Sequence, residues 1–413
     1  MPLADDDLRS LLVAVPAPAI DLDADLAVVR ARTHGRRRLR RAVTGSLAFV
    51  VLLMAGGLGL LVRADDDHGP RSIVAQPAPT SPSVTTTTRL PPDVATIPTS
   101  AIETFPAPQG SGATLALGGG SVWIGGLPPD AAACNPKCGQ ITRLDPETGA
   151  VQATITVPKY PRALAYGFGA LWAEVEVPDN TAALVVKIDP ATNEVVAQAE
   201  IPDVVVSGST GNPRLAVGAG AVWSLYGNYL TKIDPGSGSI LKNVQRAVGG
   251  DGIVANDEGL WVIENGARQG VSAIDPTSLE WRQIASLPLG YIQSSTLDGN
   301  TVWLTEAHGG SSGAADPVIE LVKIDLATGQ ITFTGTPTTN VAAGGGRVWF
   351  QGFAGVRLDD THPDDVVEID PATARMLRAA TVGLSALQPP LLAVDAESVW
   401  LLGQGGLIRL RYP

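Results

Sequence analysis

From about residue 101 onward, apolar positions come in short runs with the alternation of strands, broken every few residues by Gly, Pro, Asp or Asn. The runs then repeat as larger units. The clearest unit reads Arg214-Leu-Ala-Val-Gly, Ala221-Val-Trp-Ser-Leu-Tyr, Tyr229-Leu-Thr-Lys-Ile-Asp-Pro-Gly-Ser-Gly and Ser239-Ile-Leu-Lys-Asn-Val. A hydrophobic-Trp pair recurs at Trp123, Trp172, Trp223, Trp261, Trp303, Trp349 and Trp400, and a hydrophobic-Asp pair at Asp145, Asp189, Asp234, Asp275, Asp325 and Asp370. Spacings of 38 to 51 residues suit a four-stranded propeller blade. The pattern predicts an all-β, seven-bladed β-propeller over residues 101–413.

Each unit divides into strands A to D. A is the apolar run before a Gly turn, B carries the Trp, C ends at the hydrophobic-Asp step, and D follows. In Asp145-Pro146-Glu147-Thr148-Gly149, Pro sets the first corner and Gly supplies the left-handed residue that closes the hairpin. Asn193 stands in for Gly in the second copy. Six Asp at one turn position read as turn formers, and the Trp as packing anchors between sheets. The last unit offers Leu391–Val394, Ser398–Leu402 and Gly406–Leu410 and then stops, so strand D is missing. Ile102–Phe105, ahead of the first strand A at Thr114–Leu117, is expected to supply it and to close the ring.

The N-terminal quarter has a different pattern. Ala42–Val62 runs for 21 residues without a charge, enough for a helix of roughly 30 Å, the thickness of a bilayer core. Seven Arg lie between Arg30 and Arg41, and Asp65-Asp66-Asp67 follows the apolar stretch. Positive charge collects on the cytoplasmic side, so residues 1–41 form a short basic cytoplasmic tail, 42–62 a single transmembrane helix, and the rest lies outside the cytoplasm. A cleaved signal peptide fits less well, because 41 residues precede the stretch and no A-x-A-like site follows it. Residues 63–100, rich in Pro and Thr, read as a disordered linker. The expected location is the cell membrane, with lipid contacts through Ala42–Val62 and the Arg30–Arg41 run.

Charge sharpens this division. The whole chain carries −12; residues 1–41 carry eight Arg and six Asp, hence +2, which leaves −14 for residues 63–413. Such a domain lacks the basic face of a nucleic-acid binder, and no nucleic-acid partner is expected.

Gly259-Leu260-Trp261-Val262-Ile263-Glu264 and Val302-Trp303-Leu304-Thr305-Glu306, with the Ile-Asp-Pro-x-Thr-Gly steps, resemble the streptogramin (virginiamycin B) lyase-like propellers and the related YVTN-repeat propellers. The resemblance spans about residues 101–413 and implies the propeller fold. It also implies a metal-assisted elimination on a cyclic depsipeptide through His and Glu side chains. Glu306 and His308 are the candidates here, with a divalent metal as the cofactor of that reading alone. The propeller holds two His, His308 and His362, each in a Gly- or Pro-rich loop.

Meander geometry puts the A–B and C–D turns on one face and the B–C and D–A connections on the other. The second set is long and varied: Gly125–Gly139, Val177–Ala183, Pro202–Pro213, His308–Pro317 and Phe353–Asp365. The channel mouth on that face is the expected ligand site, lined by Lys159, Tyr160, Arg162, Arg214 and Tyr291. Arg162 and Arg214 stand at equivalent positions before strand A of successive blades and suit an anionic or carboxylate-bearing ligand. Cys134 and Cys138, separated by three residues, are expected to form a disulfide outside the cytoplasm, since C-x-x-C redox spacing and further zinc ligands are both lacking. No metal site or resident cofactor is otherwise expected. Three functions follow: a binding or scaffold module for an unknown extracytoplasmic ligand or protein, a lyase-like enzyme, or a sensor signalling through the tail.

Overall fold

The computed structural model describes residues 93–106, 112–128, 139–176, 182–202, 214–226, 229–245, 250–265, 268–288, 290–308, 318–352, 365–382, 391–403 and 406–412. The apolar segment Ala42–Val62, the basic tail and both cysteines lie outside them. Among the described residues no helix is long and apolar enough to cross a membrane.

The strands form seven sheets around one axis. Two short strands come first, β1 (Ala95–Thr96) and β2 (Ile102–Phe105). Blade 1 is β3 (Gly112–Gly118), β4 (Ser121–Gly126), β5 (Gly139–Leu144) and β6 (Val151–Val157). Blade 2 is β7 (Pro161–Gly167), β8 (Ala170–Glu176), β9 (Ala182–Asp189) and β10 (Glu194–Pro202). Blade 3 is β11 (Leu215–Gly218), β12 (Ala221–Tyr226), β13 (Tyr229–Ile233) and β14 (Ile240–Gln245). Blade 4 is β15 (Gly252–Asn256), β16 (Gly259–Glu264), β17 (Gly270–Ile274) and β18 (Trp281–Ser286). Blade 5 is β19 (Tyr291–Asp298), β20 (Thr301–His308), β21 (Val318–Asp325) and β22 (Ile331–Pro337). Blade 6 is β23 (Asn340–Gly344), β24 (Arg347–Gln351), β25 (Asp365–Ile369) and β26 (Met376–Thr381). Blade 7 is β27 (Leu391–Val394), β28 (Ser398–Gly403) and β29 (Gly406–Arg411), completed by β2.

Ring closure follows the expected strand. Ile102 lies opposite Leu410 and Phe105 opposite Leu407, antiparallel. Phe105 stacks on Trp400 with ring centres 5.8 Å apart, and a Cβ on Gly149 of blade 1 would sit 2.2 Å from the Phe105 ring. The polar side of the joint is Arg409, 2% exposed, which binds Glu103 of β2 and the Pro146 carbonyl of blade 1. One feature departs from the composition of the linker. Ala95–Thr96 pair in parallel with Arg378–Ala379 as a fifth strand on blade 6, and Ile97 is buried beside them.

Side-chain alternation explains the core. Strand B is buried on both faces, so successive residues point to the preceding and the following blade. Seven hydrophobic clusters result among the described residues, one at each blade interface. Six of the seven repeat Trp are at most 1% exposed and Trp261 is 7% exposed. In blades 1 to 3 the indole N–H reaches back to the A–B turn: Trp123 to the Gly118 carbonyl at 3.0 Å, Trp172 to Gly167 at 3.3 Å and Trp223 to Gly218 at 2.9 Å.

The C–D turns behave as the repeated Asp requires. Asp145 Oδ1 accepts from the backbone N–H groups of Glu147 and Thr148, both at 2.9 Å, which holds its carboxyl below the usual range. The closing residue has positive φ in every copy: Gly149, Asn193, Gly238, Leu279, Gly329 and Ala374.

Candidate functional site

In five of the seven blades a cation opposite the Trp on strand C ties that blade to the next one. Lys187 lies over the Trp172 ring at 5.6 Å and donates to the Pro235 carbonyl of blade 3 at 2.7 Å. Arg143, Lys232, Lys323 and Arg409 repeat this arrangement over Trp123, Trp223, Trp303 and Trp400. These contacts occupy the A–B and C–D face, and the short repeated turns there carry structure. The opposite face is free to vary.

On that opposite face, buried polar groups sit two or three residues past the Trp. They are Glu174 in blade 2, Tyr226 in blade 3, Glu264 in blade 4, Thr305 and Glu306 in blade 5, and Gln351 in blade 6, none more than 4% exposed. Blades 1 and 7 place Gly125-Gly126 and Leu402-Gly403 there instead. A carboxyl inside an otherwise apolar strand must be paired or neutral. The structure resolves this differently at each interface.

Between blades 2 and 3 the alternation sends Trp172 and Glu174 toward blade 3, and Val222, Ser224 and Tyr226 toward blade 2. Ser224 Oγ therefore donates to Glu174 Oε2 at 2.6 Å. Glu174 Oε1 and the Tyr226 hydroxyl are buried without a partner among the described residues. Burial pushes the Glu174 carboxyl up to about 7, against the pull of Ser224, Arg214 and Arg162. Tyr226 is also pushed up, by burial and then by Glu174, so its hydroxyl stays protonated.

Arg162 is the bulged residue of β7, where the register shifts between Pro161 and Ala163; such a bulge re-aims a side chain. Arg214 just precedes β11, its carbonyl bound by the Leu225 N–H at 2.8 Å and its guanidinium 5.6 Å from the centre of the Tyr226 ring. The two cations expected at equivalent positions are thus gathered around one carboxyl.

The other expected residues lie on the same rim. Lys159 and Tyr160 are half-buried in the connection from blade 1 to blade 2, and burial raises the Tyr160 hydroxyl. Tyr291 opens β19 and is 44% exposed. It lies within electrostatic reach of both Asp251 in blade 4 and Arg214 in blade 3, two blades away from its own. That reach is open only to residues at the inner rim. The long connections lie largely outside the described residues, so their contribution is not part of this geometry.

Glu306 belongs to a different contact. It is fully buried, with Oε1 accepting from Gln269 Nε2 of blade 4 at 2.7 Å, while Gln269 Oε1 accepts from the Gly290 N–H at 2.8 Å. Asn265 stitches the same interface, exchanging two bonds with the Ile292 backbone. Strand C carries no cation opposite the Trp at this interface, where Ala273 faces Trp261, nor in blade 6, where Glu368 faces Trp349. His308 ends β20 opposite Val318, and its side chain, like His362, lies outside the described residues. Among the described residues no three His, Cys, Asp or Glu converge as metal ligands.

Sequence reasoning singled out Arg162, Arg214, Tyr160 and Tyr291, but not Glu174 or Tyr226. A signal for the first of these existed: a Glu two residues past the Trp, within a strand buried on both faces.

No family model and no curated protein sequence matches the chain. Solved structures do resemble it. The Pan2 WD40 domain of Neurospora crassa superposes with a TM-score of 0.51 at 10% identity, over 75% of this chain and 93% of that one. The hydrazine synthase of Kuenenia stuttgartiensis gives a TM-score of 0.51 at 12% identity, over 75% of this chain and 97% of that one. At such identity the likeness establishes the propeller fold and nothing finer.

Proposed function

We propose that this protein is a single-pass, membrane-anchored binding module whose propeller lies outside the cytoplasm and takes its ligand or protein partner at the B–C and D–A rim. The anchor rests on the charge-free Ala42–Val62 stretch behind the Arg30–Arg41 run. The same topology supports a Cys134–Cys138 disulfide. The observation that carries the binding reading is the interface between blades 2 and 3. Two buried oxygens there, Glu174 Oε1 and the Tyr226 hydroxyl, have no protein partner among the described residues, and two guanidiniums stand beside them. Unpaired buried polar atoms cost about 1–3 kcal/mol each, and a ligand that pairs with them recovers that cost.

The test is a thermal-shift screen of the full chain in detergent, using panels of small acids, neutral saccharides and short peptides. At least one panel should raise the melting temperature, and Arg162→Gln or Arg214→Gln should abolish the shift. Stabilisation that survives both substitutions would place the binding surface elsewhere. An N-terminal tag shielded from protease in intact cells, beside a cleavable propeller, is the expected topology.

A further inference from the structure

We propose that Asp93–Ile97 is a strap that yields to a pull on the linker before the closure of the ring does. The order of release is a property of the described fold; its use rests on the membrane-anchor reading above, in which the linker carries that pull.

A load entering from the N-terminal side meets the strap first. Asp93 pairs with Arg375 at 2.8 Å, but both side chains are largely exposed, so the pair adds little. Val94 is half-buried against the cluster between blades 5 and 6. Ala95 and Thr96 are exposed and lie opposite two residues of β26. Of the five residues only Ile97 is buried. It enters the cluster between blades 6 and 7, and its N–H donates to the Ala379 carbonyl at 2.8 Å.

The next strand along the chain, β2, is held more firmly. Four of its residues pair with β29, Phe105 stacks on Trp400, and Glu103 accepts from both Arg409 and Arg411. Charge-assisted bonds to the buried Arg409 are stronger than anything in the strap. Between strap and β2 lie Pro98 and the short turn Thr99–Ala101, in which the Ala101 N–H donates to the Pro98 carbonyl at 3.0 Å. Straightening this turn breaks that bond and leaves the β2 ladder paired.

The seam that Ile97 leaves is held by a second contact. Strand-C cations elsewhere reach a carbonyl in the C–D turn of the following blade. Blade 7 has no C–D turn, because β2 supplies its outer strand, so blade 6 has no such carbonyl to reach. Tyr412, just past β29, takes that place. Its ring stacks on Trp349 at 5.6 Å, Arg347 lies over it at 4.1 Å, and its N–H donates to the Glu397 carbonyl at 3.0 Å. Blades 6 and 7 are thus joined without β1, and release of the strap leaves the ring shut.

Optical tweezers on the full chain in detergent test this. One handle sits on an N-terminal tag, and the other is clicked to an azide side chain introduced at Ala327, in the exposed C–D turn of blade 5. Wild type should show an early, reversible extension of roughly 3 nm, the length of residues 93–101 at about 3.5 Å each, below the force that opens the ring. Ile97→Gly should remove the early step and leave the later force unchanged. Glu103→Gln should keep the early step and lower the later force. A single concerted opening in wild type overturns the proposal, as does an Ile97→Gly protein whose later force falls with that of Glu103→Gln. An Ile97→Gly chain that does not fold also overturns it, since the strap is then part of the closure. The topology stands apart from these outcomes and is decided by the protection of the N-terminal tag.

Discussion

Two residue positions explain most of the chemistry in this ring, and both are counted from the Trp or its strand partner. The first is the cation opposite the Trp on strand C. Its stem packs on the indole, and its head reaches the next blade's turn, so one side chain supplies a cation–π contact and a charged hydrogen bond. Lys187→Met keeps the packing and removes both, and should lower stability by about 1–2 kcal/mol in denaturant unfolding. Trp261 faces Ala273 instead and is the most exposed of the seven repeat Trp. Ala273→Lys should therefore leave the fold intact and raise the midpoint.

The second position is Glu174. Its carboxyl stands at about 7 in the folded protein against an ordinary 4.5, so the folded state holds the proton more tightly. Stability is then full below about pH 4.5, falls as pH rises toward 7, and levels off above it, a loss on the order of 3 kcal/mol. Glu174→Gln should flatten that slope between pH 5 and 8. An unchanged slope in the variant would assign the titration to another group. Asp145, Asp234, Asp275, Asp325 and Asp370 of the C–D turns act in the opposite sense: hydrogen bonds from the turn hold their carboxyls below 3.8, so what they contribute is lost only in strong acid.

At the scale of elements, strand B and the C–D hairpin were readable because their chemistry is local. Trp, Asp-Pro and a left-handed closing residue each act within a few positions, and the predicted Ser398–Leu402 and Gly406–Leu410 fall within one residue of β28 and β29. The bulge at Arg162 was not readable, since a register shift is a property of two paired strands. The same limit applies to β1. Ala95–Thr96 sit in a Pro- and Thr-rich stretch without strand alternation, and they pair only because β26 presents an open outer edge.

At the scale of the molecule, the chain's two ends share one blade, and closure is the cooperative event. Deleting residues 101–110 removes β2, exposes the edge of β29 and leaves Arg409 without its partner Glu103. That deletion should collapse the thermal transition of the propeller. A deletion protein that melts like its parent would contradict closure through β2. The seven interfaces are also unequal. Interfaces within blades 2 to 6 bury polar groups on the variable face, whereas Leu402 and the Gly pair of blade 1 make the closing region apolar there.

The repeat by itself determined the number of blades, the order of strands and the closing strand, because each depends on periodicity and on residues near one another in the chain. It also placed Arg162 and Arg214 on one rim. Only the packing of blade against blade decided that these two cations flank Glu174 and Tyr226, and that Glu306 is spent on Gln269. Those contacts join residues about 40 to 50 positions apart across an interface, and which face of a strand meets which neighbour is settled by the closed ring as a whole.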